Sequence, residues 1–295
     1  MFSKILCATD FSASATQATS VAASVARAFA GSLELVSSWT VYDELNEYAI
    51  VRPEALDEWR QKREAKLKKA VETLAQSDVR VKGTLLQGEA ATAIPSYAAA
   101  EKADLLVVGT EARRGIAHAL LGSVAEQILR TATTPVLTVP RECSARPDAD
   151  GRFAPKSIVV PIDAGPLSAY VLGEAVSLAN RTHAHVTAVY AWDAMMMPDG
   201  TPMAAETAQQ MESRFAHWMK THATHLPVHV TPVVRRGRAF EVIADVADEK
   251  NADLVVMATA GRSGLEHFML GSVTERVLRQ LGRPVLTYRR EKSGT

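Results

Sequence analysis

Residues 103–138, ADLLVVGTEARRGIAHALLGSVAEQILRTATTPVLT, return at 252–287 as ADLVVMATAGRSGLEHFMLGSVTERVLRQLGRPVLT. Gly122 and Gly271, Ser123 and Ser272, and Pro135 and Pro284 are each 149 positions apart. A period of about half the chain points to two copies of one domain and excludes a solenoid of short units. The 295 residues are too many for one ordinary domain and enough for two of about 145, each able to bury its own core. The expected division is 1–140, a connector at 141–155, and 156–292.

Each copy alternates short apolar runs with stretches of helical periodicity, the sequence form of repeated β-α units around a parallel sheet. Strands are expected at Lys4–Thr9, Ser32–Trp39, Val79–Leu86, Asp104–Gly109 and Val136–Val139. Their counterparts are Ser157–Ile162, His185–Trp192, Val228–Val234, Asp253–Ala258 and Val285–Tyr288. The fold class that follows is α/β, two repeated domains, each an open five-stranded parallel sheet with helices on both faces. Helices over Glu54–Gln76 and Thr201–His222 turn apolar stripes inward, Leu67 and Val71 in one and Met211, Phe215 and Trp218 in the other. Such stripes report burial, so these aromatics are read as core. Pro140–Pro155 is rich in proline and charge, lacks periodicity, and reads as the connector. Early positions pair at an offset of 153, as Asp10 does with Asp163, and late ones at 149, so four residues are missing from the second copy between its second and fourth strands.

Bulk properties remove several partners. Lys+Arg 33 against Asp+Glu 33 gives a net charge of +0, which supplies no general attraction to nucleic acid or to an anionic membrane. The opening MFSKILCATDF is too short an apolar stretch for a signal peptide, and no span approaches bilayer length. Cys7 and Cys143 are the only cysteines. They form no disulfide framework, and a reducing, cytoplasmic setting is expected.

Two features in each copy carry chemistry, and both fall where strands end. The first strand stops at Asp10 in one copy and Asp163 in the other. In an open parallel sheet, ligands bind beyond the carboxyl ends of the strands where strand order reverses. An Asp there accepts hydrogen bonds from a ligand; equally, it caps the next helix. The second feature follows the fourth strand, where a glycine-bearing loop leads to Gly122-Ser123-Val124 and to Gly271-Ser272-Val273. Glycines let backbone N–H groups approach an anion, and a helix start offers free donors and partial positive charge. Ser followed three residues later by Glu126 or Glu275 reads as a capping box, with the serines as helix N-caps.

On these residues the chain resembles the universal stress protein family, as a tandem two-domain member. Its nucleotide signature is Gly, two residues, Gly, nine residues, then Gly-Ser or Gly-Thr, with an Asp ending the first strand. The resemblance spans nearly all of both copies and implies an adenine nucleotide alpha hydrolase-like, Rossmann-like fold. It also implies an adenine nucleotide, ATP with or without Mg2+, on the fourth-strand loop. Carried over by position, the site residues are Asp10, Gly109, Arg113, Gly115, Gly122, Ser123 and Val124 in the first copy. In the second they are Asp163, Gly261, Arg262, Gly264, Gly271, Ser272 and Val273. Each copy lacks a different glycine: Ala112 stands at the second signature position of the first, Ala258 at the first position of the second. Glu111 lies inside the first cradle, so the second copy is expected to bind ATP at least as well as the first. The resemblance also implies that Pro135–Val139 and Pro284–Tyr288 pair within one chain as an intramolecular pseudo-dimer; a homodimer of whole chains is a further option.

Rival readings fit less well. No Gly-x-Gly-x-x-Gly follows the first strand and no Gly-Lys-Ser or Gly-Lys-Thr occurs, which argues against a dinucleotide fold and a P-loop. No nucleophile, base and orienter are arranged for hydrolysis, so no catalytic residue is assigned, and weak ATPase or autophosphorylation ranks third. Behind the nucleotide reading stands a nucleotide-free scaffold with degenerate loops. Seven of the eight histidines lie in the second copy. His183, His185, His222, His225 and His229 are expected at the amino edge of its sheet, where zinc is a lesser alternative to a solvated helix end.

Overall fold

The computed structural model describes residues 1–40, 53–76, 78–111, 121–143, 147–165, 167–193, 208–259 and 270–289, without the side chains of 53–55. The described residues form two compact units, 1–111 with 121–153, and 154–289. In unit 1 the chain runs β1 (Lys4–Ala8), α1 (Ala13–Phe29), β2 (Ser32–Trp39), α2 (Pro53–Ala75), β3 (Arg80–Gln87), α3 (Ala90–Ala100), β4 (Leu105–Thr110), α4 (Ser123–Thr131) and β5 (Val136–Pro140). Its sheet is parallel, in the order β3-β2-β1-β4-β5.

Unit 2 repeats the plan with β6 (Ser157–Pro161), α5 (Ser168–Thr182), β7 (His185–Trp192), α6 (Ala208–Ala223), β8 (Val230–Arg236), α7 (Ala239–Glu249), β9 (Leu254–Ala258), α8 (Ser272–Gln280) and β10 (Val285–Tyr288). Its parallel order is β8-β7-β6-β9-β10. Expected and observed strands agree within two residues at each end.

The central strands are buried on both faces: Ile5, Leu6 and Cys7 in β1, Leu105–Val107 in β4, Ile158–Val160 in β6 and Leu254–Val256 in β9. Near-continuous apolar runs of this kind are what a parallel sheet covered by helices requires. Helix α1 approaches its sheet through small side chains, Ala15, Ala18, Ala22 and Ala26 among them. Ser12 caps it, its hydroxyl accepting from the Ala15 N–H at 3.3 Å.

An aspartate before the fourth strand of each unit anchors the first strand at the amino edge. Asp104 accepts from the Ser3 and Lys4 N–H groups, both at 2.8 Å, and from the Ser3 hydroxyl. Asp253 accepts from the Lys156 and Ser157 N–H groups at 2.7 and 3.0 Å.

Register locates the missing residues. Leu33 pairs with Val81 and Val186 with Val230, so the offset has already fallen to 149 at the third strand. The deletion therefore lies between β7 and β8. Gly83 has its ideal Cβ position 2.9 Å from side-chain atoms of Leu67 and Val71, so only a glycine lets α2 settle this closely on β3. Pro232 stands at that place in β8, an edge strand where proline is tolerated. There the helix presents Phe215, stacked between Tyr190 and Trp218 with ring centroids at 5.3 and 6.0 Å. Met211 and Phe215 are buried as expected, whereas Trp218 is half-exposed.

Part of the expected connector has structure of its own. Phe153 is buried and its N–H donates to the Ser24 carbonyl at 2.9 Å, while Arg27 Nη1 donates to the Gly151 carbonyl at 2.6 Å. Residues 147–153 thus pack on α1, tied by a turn in which Asp148 accepts from the Asp150 and Arg152 N–H groups.

Candidate functional site at the carboxyl edge of each sheet

Strand order reverses between β1 and β4 in unit 1 and between β6 and β9 in unit 2. From β1 the chain crosses to β2 on one side, and from β4 to β5 on the other. The crevice at such a switch point is where the fold leaves room for a ligand. Asp10 and Gly122-Ser123 follow the two adjacent strands in unit 1; Asp163 and Gly271-Ser272 do so in unit 2.

Neither aspartate caps a helix. Asp10 Oδ1 accepts the Ser12 N–H at 2.9 Å, and Asp163 Oδ1 accepts the Gly165 N–H at 2.7 Å. The residue between is forced into left-handed backbone, Phe11 at φ 67° and Ala164 at φ 57°. Bulky residues rarely adopt that region, and such strain gathers at functional turns. The carboxylates then differ. Asp10 is exposed, while Asp163 is half-buried and its Oδ1 also accepts the Ser168 hydroxyl at 2.6 Å.

The capping-box expectation is corrected. The N-caps are Gly122 and Gly271, and Ser123 and Ser272 are the first helical residues of α4 and α8. One position further on, a serine hydroxyl no longer reaches back to the free amides of the first turn. Glu126 and Glu275 instead pair forward with Arg130 at 2.8 Å and Arg279 at 3.1 Å, at the i,i+4 spacing that neighbours on a helix favour. This leaves the serine hydroxyls without a hydrogen bond among the described residues. In α8 no described group accepts the Ser272 or Val273 N–H either, as the open end of a helix requires. Val124 is 41% exposed at the same place in α4. These donors fit an anion such as phosphate.

The glycines do unlike jobs. Gly122 has φ 83° with open space around it, so its role is conformational, whereas Gly271 at φ −61° uses an ordinary extended conformation. Gly109 is a matter of room: a Cβ there would lie 2.5 Å from the Ser14 backbone at the start of α1. Its counterpart Ala258 carries that methyl, and α5 begins two residues later than its repeat equivalent.

The necks of the loops differ as well. In unit 2 the Gly271 N–H donates to the Thr259 carbonyl at 2.8 Å and the Thr274 hydroxyl to the Ala258 carbonyl at 3.0 Å. In unit 1 Ala125 replaces Thr274, and the hydroxyl of Thr110, the counterpart of Thr259, is buried without a partner. Glu111, expected to oppose phosphate, lies 3.8 Å from Arg141, both half-exposed. Arg113, Gly115, Gly261, Arg262, Gly264 and Ala112 lie outside the described residues.

The histidines do not assemble as a zinc site requires. Helix α6 ends at Ala223, so His225 lies beyond the helix that carries His222. His222 stacks on Trp218 at 4.6 Å with its Nδ1 2.9 Å from the Trp218 carbonyl, and His183 is the left-handed C-cap of α5. Among the described residues no group of three or more His, Cys, Asp or Glu is placed to hold a metal ion.

Sequence reasoning missed the arginines of this edge. Arg235, Arg236, Arg238 and Arg276 occupy the places of Leu86, Gln87, Glu89 and Gln127. The signal lies in the differences between the two copies over β8, α7 and α8.

A doubly wound α/β repeat, with a strained acidic turn and a glycine-serine helix start flanking each switch point, defines a class of fold and a shared site plan. The model of the universal stress protein family matches residues 1–140 and 155–289, and the chain belongs to that family. A universal stress protein of Mycobacterium tuberculosis is 31% identical over 193 residues, 64% of this chain and 62% of that one. The match therefore spans less than two thirds of the length of that curated relative. One from Methanocaldococcus jannaschii is 30% identical over 142 residues, 46% of this chain and 84% of its own. A universal stress protein from Archaeoglobus fulgidus shares the fold, with a TM-score of 0.73 over 97% of this chain and 98% of that one at 17% identity.

Proposed function

We propose that the chain is a stress-response protein of the cytoplasm that binds an adenine nucleotide, ATP above all, as a ligand or signal with little or no hydrolysis. The observation that carries this is the open start of α8. The Ser272 and Val273 amides have no described acceptor and the Ser272 hydroxyl is unused, next to a loop neck already closed by Gly271 and Thr274. A preformed turn of free donors at a switch point recognises phosphate without further ordering. Asp10 and Asp163, in the turns that follow β1 and β6, would accept from a ribose hydroxyl or a base amino group.

Among the described residues no helix is long and apolar enough to cross a membrane. Cys7 is a free, buried thiol, and burial pushes it up to about 12, so it stays an unreactive core side chain. Pairing of Pro135–Val139 with Pro284–Tyr288 belongs to the same proposal, as does the choice between one chain and a homodimer.

Calorimetric titration with ATP and Mg2+, with the native protein denatured in parallel to release any retained nucleotide, tests the reading. Binding is expected, and Ser272→Pro, which removes one free amide at the helix start where proline is tolerated, is expected to weaken it. Absence of both retained nucleotide and titratable ATP replaces the reading with the nucleotide-free scaffold.

A further inference from the structure

Unit 2 differs from unit 1 most in charge at its carboxyl edge. Arg236 ends β8, Arg238 is the N-cap of α7, and Arg276 lies in the second turn of α8. Glu241 ties two of them together, 3.7 Å from Arg238 and 4.0 Å from Arg276. Arg276 also lies over the Phe240 ring at 4.3 Å, and its Nε donates to Gln280 at 3.4 Å. Arg236 has no carboxylate partner among the described residues; its guanidinium sits 5.7 Å from the centre of the Trp192 ring. The neighbouring Arg235 is satisfied by Glu249, at 2.5 and 2.6 Å, and takes no part.

Arg238 is the telling residue. An N-cap favours a side chain that accepts hydrogen bonds, and a helix start repels a cation. Arg238 supplies no capping bond, is 74% exposed, and replaces Glu89, whose sign suits the helix. Two guanidiniums therefore share one carboxylate and a third has none among the described residues, at an edge where two helix starts, α7 and α8, add positive potential of their own. A local rule broken without structural gain marks a place shaped for something else.

We propose that Arg236, Arg238 and Arg276 form an anion site particular to unit 2 that takes a phosphate group beyond those held at the α8 start, so that this unit prefers polyphosphorylated nucleotides. This rests on the nucleotide reading of the same edge. Guanidinium forks match phosphate oxygens bidentately, Arg238 and Arg276 meet at Glu241 with Arg236 two residues before Arg238, and a chain of net charge +0 has no general pull on nucleic acid.

Calorimetric titration of the full chain with sodium tripolyphosphate, and separately with AMP, tests it. The wild type is expected to bind tripolyphosphate. Arg236→Gln/Arg238→Gln/Arg276→Gln is expected to bind it about tenfold more weakly or worse, as loss of charge-assisted hydrogen bonds requires, and with a shallower salt dependence. Should the triple variant lose its fold by circular dichroism, Arg238→Gln alone, on an exposed side chain, is expected to weaken binding about threefold. Equal binding by wild type and variant, or no binding by the wild type, overturns the proposal. Loss of AMP binding with tripolyphosphate binding retained overturns the nucleotide reading alone.

Discussion

One plan was copied into both units and then stabilised in different ways. Unit 1 puts its polar cluster inside the sheet, and unit 2 puts its own, among the described residues, at the carboxyl edge. Inside unit 1, Glu34 is only 2% exposed and accepts from the Thr84 hydroxyl at 2.6 Å and the Tyr97 hydroxyl at 2.7 Å, with Lys82 at 3.0 Å. The same four places in unit 2 hold Thr187, Thr231, Val233 and Val246, an uncharged set. At the carboxyl edge unit 2 has the bonded loop neck and the arginines, where unit 1 has an orphaned Thr110 hydroxyl, two glutamines and Glu89. The difference teaches that a repeat preserves the backbone route while each copy solves burial and charge for itself.

The largest break in this comparison is expected at Gly109. Gly109→Ala places a methyl 2.5 Å from backbone atoms of Ser14, and backbone cannot rotate aside as a side chain can. About 3 kcal/mol of destabilisation is expected, the upper range for overpacking, while the reciprocal Ala258→Gly costs about 1 kcal/mol or less. Denaturant unfolding gives the total, and hydrogen exchange by mass spectrometry assigns it: α1 and β4 lose protection in the first variant and unit 2 keeps its own. Equal effects of the two substitutions would mean that the late start of α5 has nothing to do with Ala258.

Glu34 comes next. Burial by itself pushes its carboxyl up, but the hydrogen bonds of Thr84, Tyr97 and Lys82, with the Lys82 charge, outweigh burial and hold it below the ordinary glutamate range. A carboxyl depressed by folding contributes stability that is present above its unfolded value and lost as pH falls through the folded one. Glu34→Gln is therefore expected to cost about 2 kcal/mol at neutral pH, in line with lost charge-assisted hydrogen bonds. The deficit should shrink as pH falls below about 4, where the unfolded carboxylate titrates. Thermal melts from neutral to acid pH check this, with Thr187→Val in unit 2 as a pH-insensitive companion. A deficit that persists undiminished in acid assigns the loss to shape and not to charge.

Much of this was legible in the sequence because parallel strands buried on both faces must be apolar along their length, and Ser32–Trp39 and His185–Trp192 were readable to the residue. The repeat supplied the rest of the topology, since one copy's uncertain run was confirmed by the other's. Helix starts were less legible. Ser-x-x-Glu describes a capping box and an N1 serine with a forward ion pair equally well, and only the backbone of Gly122 and Gly271 tells them apart. Glu34 was invisible for a related reason. A single charge in an apolar strand names no partner, and Thr84 and Tyr97, its hydroxyl donors, come from β3 and α3, 50 and 63 residues further along. The reason for Gly109 was hidden too, because its requirement is the approach of a helix that begins about a hundred residues earlier.

The smallest effect expected is at the loop neck, where it bears most directly on the ligand. Thr274→Ala removes one hydroxyl bond to the Ala258 carbonyl and copies unit 1; Ala125→Thr offers the same bond to Gly109. A neutral hydrogen bond of this kind is worth about 1 kcal/mol, so stability should change by no more than that in opposite directions. A turn that must be ordered on binding gives up affinity in proportion. Thr274→Ala is thus expected to weaken nucleotide binding about fivefold, and Ala125→Thr to narrow the gap between the units. Titration of both variants with ATP reads this out. If affinity follows neither substitution while stability follows both, the neck serves the fold of α8 alone, and the difference between the two sites rests on the arginines.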